Sequence, residues 1–438
     1  MSDDRFDLTT DPALRSWLDI PSGSDFPLQN LPFGAFRPPG GGAARLGVAI
    51  GDRILDLAAI ARSGLLDRAL ADASVVLGAA TLNALLARGP VAWRSLRARL
   101  SELLRADNRE LRDDPVAQRA FVDRTTATLV LPFEVADYVD FYSSLEHATN
   151  LGRMLRPEGE PLLPNWRWLP IGYHGRAGTV VASGTPIVRP CGQTKAPDRA
   201  APAFGPTRML DFELELAFVT GDGPPLGTPI GVARAREHIF GVALLNDWSA
   251  RDIQSWEYQP LGPFLGKSFA TSLGAWIVTL DALEPFRVYA PTQEPPPLEY
   301  LATSRPENYD IGLSVELSSA AMRAAGQAPQ TISRGNARGL YWSMAQQLAH
   351  LTSNGARIRA GDLCASGTIS GADPAAYGSM IELAWRGARP LQLVDGTTRA
   401  FLEDGDALTL RGSCDRAGAA RIGFGEVTGT IVAAQSTD

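Results

Sequence analysis

The sequence has little cysteine, little histidine and no long apolar run. Its 3 cysteines, Cys191, Cys364 and Cys414, are odd in number and far apart, so neither a disulfide framework nor a zinc knuckle is predicted. No apolar stretch approaches the roughly 18 residues that a membrane-spanning helix needs. The acidic N-terminus does not resemble a signal peptide. A cytoplasmic protein without a membrane partner is therefore expected.

A block of positive charge is also missing. The net charge is −7 and the basic residues are dispersed, which argues against nucleic acid as a partner. The chain instead has 43 glycines and 32 prolines spread over 438 residues, so frequent turns and a β-rich fold are expected. This length suggests roughly two or three domains.

Local patterns divide the chain into a smaller and a larger part. Residues 46–57 form two apolar runs around a Gly-Asp pair, which predicts a β-hairpin. Leucine and alanine recur at helical spacing over 81–112, so amphipathic helices with a solvated charged face are expected there. Asp-Asp-Pro and Leu-Pro sequences then precede a strand-rich region. We therefore predict domains at 1–131 and 132–438.

The segment 140–156 gathers several reactive side chains. It contains Asp140, Tyr142, His147 and Arg156, in a chain with only 4 histidines. Imidazole is the side chain whose unperturbed pKa suits proton transfer near neutrality. A polar loop that caps the following helix would explain the same residues, and the segment alone does not decide between the two.

A second candidate site is a short run of acids. Asp211, Glu213 and Glu215 alternate with apolar residues, so on a strand they share one face. Like charges this close repel unless a cation neutralises them, and oxygen ligands suit Ca²⁺ or Mg²⁺. The alternative is the solvent-facing side of an amphipathic strand. Asp247 follows the apolar run 239–245 and is either a ligand or a helix N-cap.

Residues 249–258 are predicted to form a helix. Along it Arg251, Gln254 and Tyr258 occupy positions i, i+3 and i+7, so they form one stripe. A polar stripe is usually just an exposed helix face. The stripe alone therefore does not show a site.

Two later segments carry isolated polar residues. Residues 379–385 are interpreted as a strand whose only acid is Glu382, and an exposed position is the simplest reading. The Gly-Lys-Ser sequence at 266–268 lacks the glycine spacing of a phosphate-binding loop, so nucleotide binding is not expected.

Motifs along the whole chain resemble the fumarylacetoacetase family of carbon–carbon bond hydrolases. The resemblance is carried by Asp140-Phe-Tyr-Ser-Ser with His147-Ala-Thr-Asn, Gly172-Tyr-His-Gly-Arg176, Leu245-Asn-Asp-Trp-Ser-Ala-Arg-Asp-Ile-Gln254 and Ala365-Ser-Gly-Thr-Ile-Ser-Gly371. It implies a β-rich α+β fold, with a small SH3-like N-terminal barrel domain followed by a larger mixed β-sandwich roll. It also implies a homodimer and a diketo acid substrate, 4-fumarylacetoacetate, cleaved to fumarate and acetoacetate in tyrosine breakdown.

The resemblance also implies a role for each candidate residue. The metal group, for Ca²⁺ or Mg²⁺, would comprise Asp140, Glu213, Glu215, Asp247, Lys267 and Thr271. The catalytic group would comprise His147, Glu382, Arg251, Gln254 and Lys267, with water activated by the His–Glu pair. The substrate would contact Tyr142, Arg156, Tyr173, Gln254, Tyr258 and Thr368. Ala270 replaces the glycine that is usual in the family, which leaves the local geometry open.

Two other functions compete with hydrolysis. The protein could be a decarboxylase, hydratase or isomerase that shares the carboxylate metal site, or a binding module with structural calcium. The histidine–glutamate pair and the long N-terminal part favour the hydrolase. A binding module would leave polar residues that match an active site in four separate segments unexplained.

Overall fold

The computed structural model describes residues 8–304 and 307–435. Within them the α-helices are α1 Leu57–Arg62, α2 Ala73–Val76, α3 Asn83–Leu86, α4 Gly89–Leu104, α5 Leu145–Leu155, α6 Arg251–Glu257, α7 Leu280–Leu283, α8 Ala320–Ala324, α9 Met344–Thr352 and α10 Met380–Leu383. Most are short. None of the described helices combines the length and the apolarity needed to cross a bilayer.

Strands outnumber helices, as the sequence predicts. The first half contains β1 Phe33–Arg37, β2 Arg45–Ile50, β3 Arg53–Asp56, β4 Phe121–Asp123, β5 Thr128–Val130, β6 Tyr138–Phe141, β7 Gly172–His174, β8 Val180–Ala182, β9 Ile187–Val188, β10 Cys191–Thr194, β11 Ala203–Pro206, β12 Leu210–Asp211 and β13 Leu214–Thr220. The second half contains β14 Ile239–Asp247, β15 Ser249–Ala250, β16 Thr271–Leu273, β17 Trp276–Thr279, β18 Arg287–Tyr289, β19 Glu307–Tyr309, β20 Gly312–Ser318, β21 Gln330–Asn336, β22 Leu363–Ala365, β23 Leu391–Gln392, β24 Thr398–Arg399, β25 Ala407–Cys414 and β26 Ile422–Val432. The fold is mixed and β-rich.

One large sheet joins the N-terminal strands to the rest of the molecule. Its main path runs β4-β3-β2-β1-β17-β14-β13-β22-β6-β7. The junction is the antiparallel pair β1–β17, in which Phe33 lies opposite Ile277. Among residues 8–304 and 307–435 this order is open and no barrel is detected, so the small SH3-like barrel stays a prediction.

A second sheet packs against the middle of the first. Its order is β21-β20-β25-β26-β9. Leu244 of β14 shares a buried hydrophobic core with Val315, Leu410 and Val427 of this second sheet. Removing such side chains from water is the main force that holds two β-layers together.

The N-terminal part confirms two local predictions. The hairpin is β2–β3, with Ile50 paired to Arg53, and α3 and α4 supply the helices. Leu96 and Leu100 of α4 are fully buried among the aliphatic residues of the adjoining sheet. The prediction that the charged residues of this helix are solvated is wrong for Arg97, whose side chain is buried. Burial is possible because its guanidinium donates to the carbonyls of Gln29 and Asn30 at 2.6 and 2.5 Å.

Two further predictions concern the segments that form α6 and α10. The helix predicted over 249–258 is confirmed as α6. The strand predicted over 379–385 is wrong, because α10 is helical. Its first two backbone N–H groups, of Met380 and Ile381, donate to the buried carboxylate of Asp211 at 2.6 and 3.2 Å. Asp211 lies far from α10 in the sequence and stabilises its helical turn. The local pattern over 379–385 does not contain this contact and therefore could not predict the helix.

Candidate active site

Helix α5 begins at a polar cap and presents His147 in its first turn. The Ser144 side chain is the N-cap and accepts the His147 backbone N–H at 3.3 Å. The His147 ring is buried, with Nδ1 at 2.6 Å from Glu382 Oε2. The capping interpretation and the site interpretation of this segment are therefore both compatible with the same residues.

Glu382 is surrounded by hydrogen-bond donors. Asn150 Nδ2 donates to Oε1 at 2.9 Å, and the hydroxyls of Ser370 and Ser379 donate to Oε2 at 2.8 and 2.7 Å. Burial raises the pKa of Glu382, but His147 and these donors outweigh burial and leave the pKa below its usual value. An ionised carboxylate at Nδ1 keeps that nitrogen protonated and leaves Nε2 able to accept a proton.

Three carboxylates meet where neighbouring strands of the large sheet end. Asp140 lies in β6, Glu215 in β13 and Asp247 at the end of β14, and their ligand oxygens lie within 4.8 Å of one another. All three residues are buried. Oxygen ligands grouped in this way suit a hard divalent cation, so the three could hold a metal ion.

The electrostatics of this group also fit a cation. Burial raises the pKa of Asp140 to about 7 and raises that of Glu215 far above its usual value. Glu215 Oε1 has no hydrogen-bond partner among the described residues. A buried carboxylate oxygen left unpaired is costly, and a cation would remove that cost.

A glycine holds the other oxygen of Glu215. The backbone N–H of Gly367 donates to Glu215 Oε2 at 3.0 Å. Gly367 has φ +76°, and a Cβ there would lie 2.3 Å from the carbonyl oxygen of Phe141. Only glycine fits this close approach without a shift of the backbone.

The acidic run is buried, so its predicted alternative as a solvent-facing strand side is wrong. Asp211, Glu213 and Glu215 are 0%, 5% and 0% exposed. Glu213 lies outside the three-carboxylate group. Its carboxylate contacts Lys267 Nζ at 2.5 Å and Arg251 Nη2 at 2.7 Å. Asp247 does not cap α6, whose N-cap residue makes no side-chain cap bond.

Arg176 belongs to the carboxylate site although no role was predicted for it. Its guanidinium donates to Asp140 and, at 2.6 Å, to Asp247 Oδ1. The rings of Tyr138 and Tyr173 lie 4.8 and 5.2 Å from its Cζ. The available sequence signal was its position at the end of the motif that carries Tyr173.

Acidic side chains outnumber basic ones around the buried carboxylates. The buried acids are Asp140, Asp211, Glu213, Glu215 and Asp247, and the buried cations that contact them are Arg176, Arg251 and Lys267. Among the described residues, five carboxyl groups thus face three cationic groups. A divalent cation would supply the two positive charges that five ionised carboxylates would lack, which is a second reason that the site fits such an ion.

A pocket of about 300 Å³ opens beside the dyad and the carboxylates. Its wall includes the apolar side chains of Leu151, Leu155, Trp166 and Ile171. The same wall brings together the following predicted residues: Asp140, Tyr142, His147, Arg156, Tyr173, Glu213, Arg251, Gln254, Tyr258, Lys267 and Thr368. A larger cavity of about 540 Å³ beside Trp276 contains none of them, so size does not identify the site.

Three residues that line the pocket each carry a buried polar atom that lacks a hydrogen-bond partner within the described chain. The atoms are Arg156 Nε, Tyr173 Oη and Thr368 Oγ1, and all are buried. Unpaired polar atoms that converge on one cavity are typical of a site whose ligand supplies the partners.

The remaining predicted residues lie behind the pocket wall. Glu382 sits behind His147, and Thr271 Oγ1 donates to Asp247 Oδ1 at 3.1 Å. Ala270 has no positive φ. The replacement of the family glycine by alanine therefore requires no left-handed backbone.

Comparison with known proteins decides the family. A model described as "Fumarylacetoacetate (FAA) hydrolase C-terminal" matches residues 138–432, and one described as "Fumarylacetoacetase N-terminal" matches residues 29–132. The chain is 49% identical over 422 residues to the fumarylacetoacetase of Mus musculus, covering 96% of this chain and 99% of that protein. The chain belongs to the fumarylacetoacetase family. The Arabidopsis thaliana fumarylacetoacetase is 50% identical over 422 residues, with 96% of this chain and 98% of the plant protein covered.

A solved structure of low sequence identity shares the fold. A solved HpcE protein of Mycobacterium smegmatis superposes with a TM-score of 0.51 at 19% identity, over 92% of this chain and 99% of that one. This likeness shows a shared fold alone.

Proposed function

We propose that this protein hydrolyses a carbon–carbon bond of 4-fumarylacetoacetate, which gives fumarate and acetoacetate in the last step of tyrosine breakdown. The observation that carries the proposal is the buried His147–Glu382 pair, whose nitrogen and oxygen lie 2.6 Å apart beside a pocket that also borders the carboxylate group. The 49% and 50% identical relatives, which are named fumarylacetoacetases, support it.

The dyad activates water. His147 Nε2 accepts a proton from a water molecule as the water attacks a ketone carbonyl of the substrate. Glu382 holds the ring and stabilises the imidazolium that forms. Arg251, Gln254 and Lys267 line the pocket and donate hydrogen bonds to the oxyanion that develops on that carbonyl. The same imidazolium then returns its proton to the departing carbon.

Four carboxylates hold the cation. Asp140, Glu215 and Asp247 already meet, and Glu213 completes the set, with Lys267 and Thr271 beside Asp247. Ca²⁺ and Mg²⁺ both accept such ligands. A divalent ion held by these residues would supply positive charge that stabilises the negative charge developing on the substrate during cleavage.

The polar ends of the substrate are held by pocket side chains that each carry one buried polar atom without a partner among the described residues. Arg156 contributes a positive charge for a carboxylate, and Tyr173 and Thr368 contribute hydroxyls. Tyr142 and Tyr258 line the same cavity. These contacts are formed in the bound substrate and persist during the reaction.

A direct assay tests the proposal. Purified protein with divalent metal is mixed with fumarylacetoacetate, and loss of diketone absorbance is followed together with the formation of fumarate. Stoichiometric fumarate supports the hydrolase. Faster release of CO₂ from oxaloacetate than cleavage of the diketone would instead favour the decarboxylase.

We also propose a two-domain homodimer for this enzyme. Domains at 1–131 and 132–438 agree with the two family models, which match residues 29–132 and 138–432. An SH3-like arrangement of the first domain and dimerisation through the second follow from the family resemblance. Sedimentation equilibrium of the purified protein measures the oligomeric state.

A further inference from the structure

Asp211 is a buried carboxylate for which the proposed mechanism has no use. Its Oδ1 accepts the backbone N–H groups of Phe212 and Met380 at 2.8 and 2.6 Å. Its Oδ2 accepts Arg251 Nε at 2.7 Å and the Ile381 N–H at 3.2 Å. One side chain thus joins three segments of the chain that are far apart in sequence.

The first of these connections fixes Arg251. With Nε bound to Asp211, the planar guanidinium turns Nη1 toward Gln254 Oε1 at 3.1 Å and Nη2 toward Glu213 at 2.7 Å. The fork of an arginine transmits orientation because its nitrogens lie in one rigid plane. Asp211 therefore sets the direction of a group that lines the pocket.

The second connection fixes α10. This helix is a single turn, Met380–Leu383, and a turn of this length is not stable by itself. Asp211 binds the first two N–H groups of the turn. Glu382 is the next residue, and it meets His147 at 2.6 Å. The place of Glu382 therefore depends on the carboxylate of Asp211.

We propose that Asp211 is a positioning residue that holds Arg251 and Glu382 in their working places at the same time. The inference rests on the proposed hydrolase function, since both groups act in that reaction. Asp211 does not touch the substrate pocket, so its effect on the rate passes through these two side chains.

The main test is Asp211→Asn. Asparagine keeps the shape and one acceptor oxygen, but its amide N–H₂ faces the donors of Arg251 and Ile381. We expect kcat to fall about 10- to 100-fold, the usual loss when a group that orients an active residue is removed. KM should change far less, and bound divalent metal, measured by elemental analysis, should be retained.

Asp406→Asn is the matched control. Asp406 is equally buried and accepts Arg399 Nε and Nη2 at 2.8 and 3.0 Å and the Glu403 N–H at 2.9 Å. Both variants should lower the melting temperature, because both break a buried arginine–aspartate pair. Only Asp211→Asn should lower kcat; equal kcat in the two variants would overturn the inference.

Double-mutant cycles separate positioning from a loss of stability. Asp211→Asn is added to Arg251→Met and, separately, to Glu382→Gln. If Asp211 acts through these partners, Asp211→Asn should lower kcat by a smaller factor in each partner variant than in the wild type, because the effects of coupled residues are not additive. An equal loss of kcat in both backgrounds would show that Asp211 does not act through Arg251 or Glu382 and would overturn the inference.

A second variant covers the case in which Asp211→Asn does not fold. Met380→Pro removes one N–H that binds Asp211 at the first position of α10, where proline is accepted. Met380→Ala keeps that N–H and loses more of the side chain. A lower kcat in the proline variant than in the alanine variant supports the inference, and equal values refute it.

An inactive wild type would refute the hydrolase function itself, whereas an active wild type with an unaffected Asp211→Asn would refute only the role of Asp211.

Discussion

The N-terminal core and the candidate active site are both buried, but the first consists of apolar side chains and the second of charged ones. Around α4 the interior consists of leucine side chains such as Leu96 and Leu100, which share one buried cluster with aliphatic residues of β2 and β3. Around the carboxylates it consists of charges, including Glu215, whose Oε1 lacks a partner within the described chain. Aliphatic burial stabilises the fold, whereas burying charges costs stability unless each is compensated.

This contrast separates what each region contributes. A substitution in the leucine core should change the free energy of unfolding and leave catalysis alone. A substitution in the charged centre should change catalysis or metal binding. The variants below run from the largest expected effect on the rate to the smallest.

His147→Ala should have the largest effect. Removing the general base should reduce kcat/KM about 10²- to 10⁴-fold, while the metal content stays at the wild-type level. Glu382→Gln should reduce kcat/KM by a smaller factor, because its hydrogen bonds can persist without the charge. A His147→Ala enzyme within a few-fold of wild type would place the base elsewhere.

Glu215→Gln should act on the metal first. Loss of one of the four proposed carboxylate ligands should weaken divalent binding about 10- to 100-fold. Since an ion that binds only the folded state raises the melting temperature, the rise on adding Mg²⁺ or Ca²⁺ should be smaller than in wild type. Glu237→Gln, on an exposed residue paired with Arg234, is the control. Calorimetric titration that finds equal affinity in both variants would contradict the site.

Arg156→Met should affect substrate binding more than turnover. A charge contact made in both the ground and the transition state acts as uniform binding, so KM rises while kcat changes little. Loss of one charged hydrogen bond predicts a rise in KM of about tenfold or more. Steady-state kinetics measures both constants. A fall in kcat at constant KM would assign Arg156 to the chemical step.

Leu100→Ala should leave the rate unchanged and weaken the fold. Leu100 is 0% exposed, and such a truncation costs about 2–5 kcal/mol of unfolding free energy. Val91→Ala on the same helix is the control, because Val91 is 78% exposed. Denaturant unfolding should separate the two variants, and kcat/KM should equal wild type in both. A loss of activity in folded Leu100→Ala would show that the leucine core is coupled to the site.

The sequence predicted what is local or what matches a family motif. Periodicity found the hairpin β2–β3 and helices α4 and α6, and the motifs located the residues that line the pocket. Arg176 and Asp211 were missed as parts of the network because their partners lie elsewhere in the chain, at Asp247 and at α10, and no local pattern records such contacts. The same distant contact explains the wrong strand at 379–385.

The place of β22 in the sheet determines when the site can exist during synthesis. This strand, Leu363–Ala365, lies between β6 and β13 and pairs with both. A ribosome has made Asp140 and Glu215 long before it makes the strand that separates and aligns them. A nascent chain can therefore bring its candidate metal ligands together only after residue 365 has emerged, and His147 gains its carboxylate partner later still. The growing polypeptide stays inactive until most of it has been translated.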